Sequence, residues 1–108
     1  MHTYLIQVAY NPEGWANLVK QPQNRIEAIR PSVEKLGGKI VGGWFAFGEH
    51  DVVAIANLPD NTAAAALSIA FGAGGAVRHS QVTPLITPEE AVDAMRKAST
   101  AGYKAAGH

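Results

Sequence analysis

Two strand-forming runs, Lys39 to Phe47 (KIVGGWFAF) and Asp51 to Ala56 (DVVAIA), stand only Gly48-Glu49-His50 apart, and neither alternates cleanly with polar residues. Runs this rich in β-branched and aromatic residues across so short a connection predict a β-hairpin. A strand that is apolar at both parities is covered on both faces. One cover is the chain's own helices. The other is something the rest of this chain does not obviously supply.

The first strand is predicted over Thr3 to Tyr10, with Tyr4, Ile6, Val8 and Tyr10 on one side and Leu5, Gln7 and Ala9 on the other. Asn11-Pro12-Glu13 then supplies an N-cap, a proline at the first helical position and an acid in the first turn. Trp15, Leu18 and Val19 give this helix its apolar face. A second helix carries Ile26, Ile29, Val33 and Leu36 at spacings of three and four and is stopped by Gly37-Gly38. Pro31, inside that stripe, predicts a kink near Arg30 or a helix restart.

After the hairpin, Asp60, Asn61 or Thr62 caps a helix whose face carries Ala63, Ala66, Leu67, Ala70 and Phe71. A last strand follows over Ala76 to Ile86, an edge or bulged strand because of Pro84. Thr87-Pro88-Glu89-Glu90 reads as a capping box for a C-terminal helix with Ala91, Val92 and Met95. Residues 1–101 are expected to form a single domain, and 102–108 a mobile tail.

Strand, helix, strand, strand, helix, strand is the order of the ferredoxin-like motif. The expected fold class is therefore α+β, a four-stranded antiparallel sheet with helices on one face and an extra C-terminal helix. The hairpin's second apolar face calls for a second subunit, closing two sheets into a dimeric α+β barrel. Composition agrees: 47% of residues are hydrophobic and 17% charged, against about 25% charged in typical domains. So little charge argues for surface buried between subunits.

Nine basic residues balance nine acidic ones and lie scattered, so no footprint for nucleic acid is expected. The absence of cysteine removes disulfides, thiolate nucleophiles and zinc-thiolate sites, and suits the cytoplasm. No basic leader precedes an apolar stretch, and the alanine-rich run at 63–70 is far short of the roughly 20 residues that span a membrane, so no membrane partner is expected.

At this stage the residues show a family likeness. Gly37-Gly38-Lys39-Ile40-Val41-Gly42 followed by Phe47-Gly48-Glu49-His50-Asp51-Val52-Val53 resembles the GYD-domain family of the dimeric α+β barrel superfamily. The similarity runs from about Tyr4 to Ala91 and includes Asn11 to Gly14, Arg25 to Leu36 and Leu58-Pro59-Asp60. Where the family has a tyrosine ahead of the aspartate, this chain has His50. The resemblance implies architecture and oligomerisation more than chemistry, since the superfamily includes cofactor-free oxygenases, haem enzymes and isomerases.

Candidate residues fall at two places. In the expected topology the hairpin turn lies at one end of the sheet and the start of the last strand at the other, which separates His50 from His79. That separation argues against a two-histidine metal site, and no His-x-His or His-Glu-x-x-His spacing is present. His50 is either a turn residue or a general base, and Asp51 is expected to be structural, binding backbone amides at the hairpin or pairing with a neighbouring strand. Tyr10, Asn11, Trp15 and His79 are expected to converge on a pocket mouth for a small organic ligand. Trp44 and Phe45 point to opposite faces, and Gln7, His79 and Gln81 form a candidate polar strip.

The expected function is a homo-oligomeric module that binds a small, mostly apolar metabolite in a sheet-helix cavity through Tyr10, Asn11, Trp15, Trp44 and His79, without metal or cofactor. One rival is a cofactor-independent oxygenase or isomerase with His79 or His50 as base. The other is a purely structural assembly protein.

Overall fold

A computed structural model describes residues 1–107; the last residue of the predicted tail, His108, lies outside them. The strands are β1 (His2–Tyr10), β2 (Lys39–Phe45), β3 (Val52–Leu58) and β4 (Val77–Leu85). The helices are α1 (Pro12–Lys20), α2 (Arg25–Lys35), α3 (Asn61–Ala73) and α4 (Pro88–Ala98). All strand pairs are antiparallel and the sheet order is β2-β3-β1-β4. The domain is thus α+β with a four-stranded antiparallel sheet and four helices, compatible with the ferredoxin-like arrangement.

Local chemistry places the helix ends. Asn11, Asn24, Asp60 and Thr87 are the N-caps, and Thr87 with Glu90 completes the capping box. Helix α2 ends in a Schellman motif: Gly37 has φ +87°, and the Gly37 and Gly38 amides donate to the carbonyls of Glu34 and Val33. A side chain at Gly38 would collide with the Asn57 carbonyl, so the chain can turn there only without one. Pro31 neither ends nor restarts α2, which runs through it as a single helix. The carbonyl left without an amide donor belongs to Glu27, an exposed residue, so the missing bond is not buried.

Tyr4, Ile6, Val8 and Tyr10 of β1 and Val52, Ala54, Ala56 and Leu58 of β3 are buried on one sheet face. They pack against Ile29 and Val33 of α2 and Ala63, Ala64 and Leu67 of α3. Ala70, expected on that face of α3, is exposed. Val19 of α1 is also exposed, and Gly14 is the residue α1 buries, directly against the main chain at Ala76. Strand β2 stops at Phe45 rather than Phe47, which is fully in solvent, and residues 46–51 form the connection to β3. Strand β4 is an edge strand and its pairing shifts register between Ala9 and Tyr10.

Among the described residues, no helix packs on the other sheet face. By register it carries Leu5, Gln7 and Ala9 of β1, Val53 and Ile55 of β3, and His79, Gln81 and Thr83 of β4. Helix α4 has no buried residue. No helix is long and apolar enough to cross a membrane among the described residues.

Candidate functional site

His50 and His79 meet, contrary to the expected separation. Because β3 runs antiparallel to β1, its first residue lies beside Val8, at the end of β1, and the start of β4 pairs with the same end. The hairpin turn and the start of β4 are thus neighbours across β1, and the two imidazole centroids are 5.9 Å apart, tilted by 32°. Gln7 Nε2 lies 3.5 Å from His50 Nδ1. With the amide nitrogen as donor, Nδ1 accepts, and the neutral ring then carries its proton on Nε2. That Nε2 is buried and has no hydrogen-bond partner among the described residues. Gln81 pairs opposite Gln7, so Gln7, His79 and Gln81 do share one face, and His50 joins them.

Asp51, next to this pair, is structural. Its Oδ2 accepts from the Tyr10 amide at 2.9 Å, and its own amide donates to the Val8 carbonyl at 2.8 Å. The carboxylate replaces a ladder bond on the β3 side of β1, just beyond the last pair, Val8 with Val52.

The expected pocket mouth divides between the two faces. His79 pairs with Ala9 and so faces away from the helices, whereas Tyr10 is buried on the helix side. Asn11 is committed to structure: Oδ1 accepts from the Gly14 amide at 2.8 Å and Nδ2 donates to the Gly75 carbonyl at 2.7 Å. Tyr10 and Trp15 do come together, edge to face with centroids 5.6 Å apart, and Trp15 meets Phe45 in the same way at 5.8 Å. Trp44 lies on the opposite face from Phe45, its ring over Gly42, and both are more than half exposed.

The space between the layers is small among the described residues. Tyr10, Ile29, Phe71 and their neighbours enclose about 20 Å³ there, because Leu67, Val33 and the two tyrosines fill the layer. Space opens instead at the sheet edge. A groove of about 490 Å³ runs between the start of α2 and β2, walled by Ile26, Ile40, Trp44 and Phe45. A pocket of about 220 Å³ adjoins it, walled by Tyr10, Leu18 and Ala76. Gln23 and Arg25 line both. Gly43 shapes the groove, since a side chain there would collide with Ile26.

Arg25 escaped the sequence reading. Its Nε donates to the Tyr10 hydroxyl at 3.3 Å and its Nη1 to Gln23 Oε1 at 2.7 Å. Arg30, on the same groove, pairs with Glu27 at 3.0 Å; hydrogen bonding first, then charge, lowers the Glu27 carboxyl's pKa and raises that of Arg30. Arg25 has no carboxylate partner among the described residues. The signal was present in the sequence: Arg30 has Glu27 three residues before it and Glu34 four after, whereas Arg25 has Ala28 and Ile29 at the helical spacings where a partner would stand.

With the geometry set out, the comparisons with known proteins decide the family. The GYD domain model matches residues 4–95. The chain belongs to the GYD-domain family. No curated protein matches the chain. His50 therefore stands in a true GYD domain, next to the aspartate that closes the end of β1.

Proposed function

We propose that this GYD-domain chain is a homo-oligomeric module that binds a small organic molecule in the groove between α2 and β2. The groove itself carries the reading. Its 490 Å³ falls in the range of small-ligand sites, and its walls combine exposed aromatics with a few directed polar groups. Phe45 is the aromatic wall on the helix side, with Trp15 and then Tyr10 packed behind it, while Trp44, which the sequence had singled out, borders the groove from β2 with its indole on the other sheet face. The small space between the layers, about 20 Å³, favours the edge groove over a site within the interior.

The helix-free sheet face supports self-association. Leu5, Val53 and Ile55 are only half-buried there, and Trp44 adds its indole to the same side. A second copy laid on this face buries them without new secondary structure, as a C2 pair. The absence of cysteine supports a cytoplasmic location.

Native mass spectrometry of protein purified without added ligand tests both parts at once. A dimer or larger oligomer carrying an unexplained mass of metabolite size is expected. A bare monomer would overturn the reading.

A second reading, a cofactor-independent oxygenase or isomerase, draws on the His50–His79 pair. His79 is the exposed member and the better base, because Gln7 occupies Nδ1 of His50. Turnover of an identified substrate that survives His79→Ala would remove it.

A further inference from the structure

We propose that the ligand of the groove is a monocarboxylate with an apolar body, and that Arg25 holds its carboxylate. The inference rests on the groove being the binding site and adds the chemistry of what it takes.

The guanidinium stands where the groove and the smaller pocket meet, half-buried, with Nε and Nη1 each making one side-chain hydrogen bond. Those two bonds fix the plane of the fork. They leave Nη2 and one hydrogen of Nη1 for a planar acceptor, and a carboxylate matches two parallel N–H donors. The Tyr10 hydroxyl accepts from Arg25, so its own hydrogen is also available to a ligand oxygen.

The charge around it selects a single negative charge. Arg30 is already neutralised by Glu27, which puts one unpaired cation and a carboxylate on the same groove. A doubly charged phosphate would meet one guanidinium and be repelled by Glu27. A monoanion is matched by Arg25 alone. The amides at the start of α2 play no part, since those of Ile26 and Glu27 are both taken by Asn24 Oδ1. Ile26, Ile40 and Phe45 then receive the apolar body.

The test is ligand-observed NMR with matched probes: benzoate, phenylacetate and hexanoate, each against its neutral amide. At least one acid is expected to bind ten or more times more tightly than its amide. Arg25→Gln should remove that preference, weakening the acid far more than the amide. Tyr10→Phe keeps the guanidinium and should weaken acid binding only severalfold, which guards against a folding defect in the first variant. Equal binding of acid and amide to the natural protein, or acid binding untouched by Arg25→Gln, overturns the carboxylate inference while the groove reading survives. Failure of every probe to bind overturns both.

Discussion

His50 and His79 face each other across β1 at 5.9 Å, with Ala9 on the strand between them and the Nε2 of His50 buried without a partner. A buried polar atom that has given up water without gaining a partner, whether donor or acceptor, costs about 1–3 kcal/mol.

His50→Phe keeps a flat ring and removes the unpartnered nitrogen. The variant is expected to be at least as stable as the natural protein, gaining up to about 1 kcal/mol, or several degrees in thermal midpoint. Differential scanning calorimetry on the ligand-free protein measures it. A clear loss of stability would mean that the nitrogen finds its partner in the assembled oligomer.

Asp51 carries the opposite sign. Asp51→Ala strands the buried Tyr10 amide and should destabilise the domain by about 1–3 kcal/mol, whereas Asp51→Asn retains an acceptor oxygen and should lose markedly less. Denaturant unfolding of the two variants checks the order. Equal losses would show that charge, not the hydrogen bond, matters at this position.

The open sheet face gives a test of assembly. Ile55→Asp sets a carboxylate in the middle of the half-buried apolar strip, where the lone subunit can still solvate it and an interface cannot. Sedimentation velocity is expected to show an oligomer for the natural protein and a folded monomer for the variant. An unchanged oligomer would place the interface elsewhere, with the exposed α4 as the next element to truncate.

The shape of the groove depends on a glycine beneath α2. Gly43→Ala forces Ile26 aside and should cost about 1–3 kcal/mol as an overpacked contact. Pairing it with Ile26→Ala removes the collision, so the double variant should lose less than the sum of the two single changes. Strict additivity would show that the β-carbon is accommodated by backbone movement instead.

Where interactions are local, the sequence determined the outcome. Asn11-Pro12, Asp60 and Thr87 through Glu90 start their helices through bonds that reach two or three residues ahead, and Gly37-Gly38 end α2 because only glycine turns there without a clash. The hairpin and the amphipathic stripe of α2 were legible for the same reason, as was the family, whose motif lies across that hairpin. Tertiary structure decided what meets what. Strand order and direction, which no local spacing encodes, brought His50 to His79 and sent Tyr10 and His79 to opposite faces. Packing decided the rest: side-chain volumes filled the layer between sheet and helices, and one of the grooves left over lies at the β2 edge, beside an arginine whose own helix offers it no acid.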